Sequence, residues 1–309
     1  MWYGTMKHIK LLQDIPSLRD PVLIAAFSGW NDASEVATWS ARFLVRKWGA
    51  VKFAEVEPEE YYVFTETRPT VKIVGPSMRS IEWPSNELYY HKNPKEGNDY
   101  VVFVGVEPQL KWQTFVEELT DVIKQLRVSC VITLGGLLAA VPHSAPPRIT
   151  GTATDPRFQA PQNRPRPSGY QGPTGILGVI NSTCNKENIS TASIWGNVPH
   201  YLQASPNVRV ASAVLERLNN VLSLNLDLRE PMSLATKFDR KVSELVDGNP
   251  EVAAYVKQLE EEEQLDFDED NGTAELQEEQ PSTLSSEDIM QELEEFFKQG
   301  PDEDEGPKT

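Results

Sequence analysis

His8, His91, His143 and His200 are the side chains best suited to proton transfer or metal ligation near neutral pH. His143 and His200 each close a Val-Pro-His triplet (141–143 and 198–200), and each triplet follows a predicted strand. Both can therefore approach the same sheet edge. His8 is near the N-terminus and His91 precedes a turn. Two histidines without nearby cysteines or convergent carboxylates do not make a metal centre, so no metal or cofactor is expected. A hydrolase can be assembled on paper from Ser28 or Ser144, His143 or His200, and Asp32 or Asp155. No Gly-x-Ser-x-Gly elbow supports it, and no catalytic residue is assigned.

Glycine-bearing turns supply the other candidates. Gly29, Trp30, Asn31 and Asp32 follow an apolar run, and Gly135 and Gly136 follow another. Such positions lie at carboxyl strand ends, where α/β proteins bind ligands, yet the second pair lacks dinucleotide spacing and equally suits close packing. Gly172, Thr174 and Gly175 can present backbone N–H groups at a helix start, as an anion site or as a structural turn. There is no Gly-Lys-Ser/Thr phosphate loop. Together with His143 and His200 these residues form the candidate ligand set, with a nucleoside or phosphate compound as the expected ligand class. Arg148, Arg157, Arg164 and Arg166 can bind phosphate, meet another protein's carboxylates, or stay solvated. Trp30, a bulky indole in a turn, is either a packing plug or an interface anchor.

The elements that must position these groups follow from periodicity. Val22–Phe27 is a continuous apolar run and reads as a buried strand. Asp32 with Glu35 suggests a capping box for a helix carrying Val36, Ala37, Ser40, Phe43, Leu44 and Trp48 on one face, ended by Gly49. Strands are expected at 51–56, 71–74, 80–83, 87–91, 100–104, 130–134 and 191–195. Helices are expected at 111–126, at 175–186 with Thr174 as cap, and at 207–221. Eight prolines between Ala139 and Pro173 forbid a regular helix there. The order implies a three-layer α/β/α sandwich around a mostly parallel sheet over residues 1–230. Residues 231–263 read as an accessory helical hairpin that must dock, because it is too small to fold alone.

The charge isolates the rest. Of the formal net charge of −17, residues 1–230 hold 22 acids against 23 bases, and residues 260–309 hold 20 acids against Lys298 and Lys308. The acidity thus belongs to a tail, 264–309, expected to be mostly disordered, and a broadly basic nucleic-acid surface is excluded. Within it, 285–299 has a capped start and a stripe of Ile289, Leu293, Phe296 and Phe297, a candidate partner-binding helix. Two cysteines, no signal-like N-terminus and no apolar run of membrane length point to a reducing cytoplasm without membrane contact.

An ordered series of short motifs adds a resemblance. It runs through Phe27-Ser-Gly-Trp-Asn-Asp-Ala33, Arg79-Ser-Ile-Glu-Trp-Pro84, Gly105-Val-Glu-Pro108, Thr133-Leu-Gly-Gly-Leu-Leu-Ala139, Tyr170-Gln-Gly-Pro-Thr-Gly175 and Ser193-Ile-Trp-Gly-Asn-Val-Pro-His-Tyr201. Across roughly residues 15–265 the chain resembles the bacterial and archaeal branch of the proteasome assembly chaperone family, relatives of the eukaryotic proteasome assembly chaperone 2. The resemblance implies a core like that of nucleoside phosphorylases, a homo-oligomer with a trimer favoured, and a non-catalytic, protein-binding or assembly-chaperone-like role. Some archaeal relatives dock through a carboxy-terminal hydrophobic-tyrosine-x motif. This sequence closes on Glu305-Gly-Pro-Lys-Thr309, so docking by that route is not expected.

Overall fold

The computed structural model describes residues 7–75, 78–158, 171–203 and 205–268. In chain order, the first elements are β1 (Ile9–Leu11), β2 (Val22–Ser28), α1 (Val36–Trp48), β3 (Val51–Val56), β4 (Thr70–Gly75), β5 (Met78–Glu82), β6 (Asn86–His91), β7 (Tyr100–Val106) and α2 (Trp112–Leu126). There follow β8 (Cys130–Ala139), β9 (Ile149–Ala153), α3 (Ile176–Lys186), β10 (Ser190–Pro199), α4 (Val208–Leu222), α5 (Arg229–Asp247) and α6 (Pro250–Asp268).

Eight strands form one sheet in the order β1-β3-β6-β7-β2-β8-β10-β9. β2 lies near the centre, parallel to β7 and β8, and is buried along six successive residues because helices cover both faces. Val22, Ile24 and Ala26 pack with Phe43 and Leu44 of α1 and Val214, Leu215 and Leu218 of α4. Leu23, Ala25 and Phe27 face Phe115, Leu119 and Ile123 of α2 and Ile176, Leu177 and Ile180 of α3. Each of the larger side chains, Val, Leu, Ile or Phe, contributes about 1.5–3 kcal/mol on burial, so the two apolar layers hold the sandwich together.

The sheet is mixed rather than mostly parallel: β1–β3, β3–β6, β6–β7 and β9–β10 all pair antiparallel. The segment between β3 and β7 contributes β6 as their antiparallel neighbour, and no helix crosses over. β8 and β10 are also longer than expected, pairing in parallel over ten residues each, through Gly135 and Gly136. Two further strands carry little sequence signal. β1 is a three-residue edge, and β9 occupies a proline-free stretch inside the proline-rich segment.

The α5–α6 hairpin docks on the main domain. Phe238, Val242 and Val246 join Val252, Val256 and Leu259 against Tyr201, Leu202 and Val208. Arg46–Glu230 and Lys47–Asp227 ion pairs tie its start to α1. The predicted helix at 285–299, with Ile289, Leu293, Phe296 and Phe297, lies outside the described residues, as do Arg164 and Arg166.

Candidate functional site

At the end of β2 the chain reverses at Gly29, whose φ of +123° a side chain would strain. Trp30 then projects into solvent, 62% exposed, so it plugs no core of this chain. Asn31 turns inward and is 1% exposed. Its Nδ2 donates to Glu107 Oε1 at 2.7 Å, and the backbone N–H of Ile176 donates to the same oxygen at 2.8 Å. One carboxylate thus joins the β2–α1 turn, the exit of β7 and the first turn of α3. The placement is favourable, since a negative group at a helix N-terminus meets unpaired N–H groups and the positive end of the helix dipole. Gly175 is the N-cap residue and makes no side-chain cap. Thr174 does not cap α3 as expected, because its Oγ1 points to the carbonyl of Gly175 at 3.4 Å. Gly172 lies exposed in the preceding connection.

Asp32 is nearly buried. Its Oδ1 accepts from the N–H groups of Ala37 (2.7 Å) and Thr38 (3.3 Å), and Oδ2 accepts from the Thr38 hydroxyl. Burial raises its carboxyl above the ordinary aspartate range, although these three hydrogen bonds oppose the shift. The predicted capping box is therefore replaced by a longer reach. Residues 33–35 form a short 3-10 turn, Glu35 adopts φ +54°, and Asp32 caps α1 beyond them. Beside it, the N–H of Gly136 donates to the carbonyl of Asn31 at 2.9 Å, and Asp32 bridges Gly136 in parallel. A Cβ on Gly135 would overlap the Trp195 ring, whose Nε1 donates to Ser193 Oγ at 2.7 Å. Close packing explains this glycine.

The histidines gather around Tyr201. The backbone N–H of His143 donates to the Tyr201 hydroxyl at 2.7 Å, and its Nδ1 lies 2.8 Å from the same oxygen. His200 lies edge-on to Tyr201, with Nδ1 3.3 Å from the Ala139 carbonyl and Nε2 3.2 Å from the Tyr255 hydroxyl of α6. The two triplets do meet at one sheet edge, and they fasten the helical hairpin there. Burial pushes the His143 imidazole below its usual value, helped by Arg209 and opposed by Glu260 and Asp247.

A cleft next to this cluster is lined by His143, Pro146, Arg148, Asn197, Asn207 and Arg209, among others. Its interior, about 20 Å³, has room for roughly one water molecule. Asn197 is 1% exposed and its Nδ2 has no hydrogen-bond partner among the described residues, a donor that a water here would satisfy.

Gly29, Asn31, Asp32, Gly136 and Gly175 therefore converge, and His143 and His200 form a second cluster. Other paper candidates are engaged elsewhere: Ser144 donates to Glu260, and Asp155 accepts a two-pronged contact from Arg157 at 2.8 and 2.9 Å. Glu107 was missed as a site residue, although an acid between an apolar strand and Pro108 was its signal. His8, near the N-terminus, has its Nδ1 2.9 Å from the buried Glu118 carboxylate. Among the described residues no group of three metal-ligating side chains occurs, and no helix is long and apolar enough to cross a membrane.

Comparison with known proteins gives one consistent result. A profile of the PAC2 family matches residues 26–246. The structure is similar to that of a PAC2 family protein from Streptomyces avermitilis, with 35% identity and a TM-score of 0.70, covering 77% of this chain and all of that one. It is equally similar to a Mycobacterium tuberculosis proteasome-assembly chaperone homologue, with 35% identity and a TM-score of 0.69, covering 76% of this chain and 99% of that one. An archaeal proteasome activator from Pyrococcus furiosus shares the fold at 20% identity and a TM-score of 0.61, covering 78% of this chain and 99% of that one. No curated protein matches the sequence.

Proposed function

Because the chain belongs to the PAC2 family, we propose that it is a non-catalytic, protein-binding member with a chaperone-like role toward proteasome subunits or related assemblies. The observation that carries this reading is how the strand-end polar groups are used. Asn31, Asp32, Glu107, His143 and His200 each hydrogen-bond another part of the fold, while Trp30, 62% exposed, faces outward. Indole side chains are enriched among residues that dominate protein–protein binding, and Trp30 is the anchor of this reading. The chain works as a homo-oligomer, a trimer favoured by the resemblance, in the cytoplasm. Its two buried, reduced thiols suit that compartment. The stripe at Ile289, Leu293, Phe296 and Phe297 supplies a second contact for a partner.

Reconstitution tests it. Purified proteasome subunits from the same source are assembled with the wild-type chain, with Trp30→Ala, and with a chain lacking 284–300. A native-gel complex that the wild type forms and the variants weaken supports the reading. No complex at tens of micromolar wild-type protein overturns it.

The orphan donor of Asn197 favours a second, lesser reading: a small-ligand site for a nucleoside or phosphate compound, on a phosphorylase-like core. The cleft's volume speaks against a nucleoside. A melting shift with millimolar phosphate or nucleoside would revive it, since a ligand at 100 times its Kd stabilises by about 2.7 kcal/mol.

A further inference from the structure

Asn197, near the end of β10, lines the cleft beside His143 and is 1% exposed. Its Oδ1 accepts from the Thr150 hydroxyl at 3.1 Å. Thr150 does not line the cleft, so the oxygen end of the amide is turned away and Nδ2 is the end that faces in. That nitrogen has no partner among the described residues, a loss that folded proteins rarely leave uncompensated. α4 begins at the same cleft, which Asn207, Arg209 and Val210 line. Asn207, also 1% exposed, is the N-cap and accepts from the Val210 N–H at 3.1 Å. The Val208 N–H donates to the Pro206 carbonyl at 3.1 Å, while that of Arg209 has no acceptor among the described residues. The positive end of the helix dipole therefore meets the space that Nδ2 faces. The Arg209 guanidinium lines the cleft too, steadied by Asp239 through Nη1 and by the Ala145 carbonyl at 3.4 Å through Nη2. The carboxylates at this edge, Asp239, Asp247 and Glu260, lie outside the lining.

A buried donor, a helix N-terminus and a guanidinium together suit a ligand that accepts hydrogen bonds and carries negative charge. We propose that the cleft is a carboxylate-binding site, in which one carboxylate oxygen accepts from Asn197 Nδ2 and the other turns outward to Arg209. Size and shape select this class. The interior, about 20 Å³, admits one oxygen-sized group. Pro142, Pro146, Pro147 and Pro199 form part of the wall; their ring-locked backbone gives little room to widen, and none has an N–H to donate. A flat carboxylate enters edge-first with a single oxygen. A tetrahedral phosphate is bulkier at the same rim, and a nucleoside far more so. A water matches the size but brings two hydrogens of its own, and the two side-chain oxygens in the lining, those of Asn197 and Asn207, already accept hydrogen bonds. This site takes the Asn197 donor of the second reading above and assigns it a different ligand.

Isothermal titration of the full chain at constant ionic strength tests it. Sodium acetate stands for a free acid, and an N-acetylated, C-amidated aspartate for a side chain presented by another chain; inorganic phosphate and adenosine are the comparisons. A carboxylate is expected to bind with a Kd of about 1 mM or tighter. Tighter acetate identifies a free acid as the source, and tighter aspartate a bound chain. Asn197→Leu removes the donor at similar volume, and Asn197→Asp sets a negative charge against the ligand. Each should weaken binding at least about tenfold, the effect of one hydrogen bond to a charged group. Far-UV circular dichroism confirms that each variant is folded. Without any variant, the Asn197 side-chain amide signal in a 15N–1H spectrum of the wild type should move as acetate is added. Carboxylate binding that leaves this signal in place, or that persists in both folded variants, overturns the site. Phosphate or adenosine binding without carboxylate binding overturns it and upholds the second reading. No binding by any of the four at 10 mM overturns both.

Discussion

Replacing Glu107 by alanine removes the one acceptor shared by Asn31 Nδ2 and the N–H of Ile176, and leaves the buried Asn31 amide without its partner. Each hydrogen bond to a carboxylate is worth about 1.5–3 kcal/mol, and Glu107 is partly exposed, so the lower value applies to both. Loss of the negative charge at the start of α3 adds about 0.5 kcal/mol. The expected cost is about 3–4 kcal/mol. In a domain of this size that lowers the melting temperature by about 10 °C. Glu107→Gln keeps an acceptor oxygen and loses only the charge, so it should cost about 1 kcal/mol. Urea denaturation followed by far-UV circular dichroism measures both. A double-mutant cycle with Asn31→Ala should show a coupling of about 1–2 kcal/mol, because the two substitutions delete the same bond. An alanine variant within 1 kcal/mol of wild type, or one indistinguishable from glutamine, would refute the account of Glu107 as the clamp between turn and helix.

Gly135→Ala should destabilise by about 1–3 kcal/mol, because its Cβ would displace a Trp195 ring held by Ser193; a denaturation midpoint equal to wild type would contradict that packing. His143 predicts a pH dependence. Its folded-state value is lowered, so as pH falls the unfolded chain takes up the proton first, and stability drops from about pH 6.5 downward through the folded-state value. The difference between wild type and His143→Gln in urea midpoints from pH 8 to pH 5 should narrow or reverse toward the acid end; a constant difference would exclude the effect.

Much of the sandwich was legible because its core elements are strongly patterned. The apolar run at Val22–Phe27 and the stripe on α2 have no alternative burial, and both occur as read. Lengths of strands were less legible. Gly135-Gly136 looks like a strand end, but the indole of Trp195 fills the space at Gly135, the Ala33 backbone and Val36 fill that at Gly136, and pairing continues to Ala139. The mixed sheet was hidden because a short strand such as β6 does not announce its neighbours. At the candidate site, the turn residues were identified but their purpose was not. Asn31 is there to meet Glu107, a residue 76 positions away, and only the tertiary fold brings the two together.

The strand order has a kinetic side. Every strand of the main sheet made before residue 107 lies on one flank of β2 or is β2 itself, and β8, β10 and β9 build the other flank. A nascent chain can therefore close the half-sheet β1-β3-β6-β7-β2 while β8 is still inside the ribosome. Until β8 emerges, β2 is an open edge of six buried-type residues, the form most prone to join a neighbouring chain. The hazardous interval in the synthesis of this chain is set by the 24 positions that separate Val106 from Cys130.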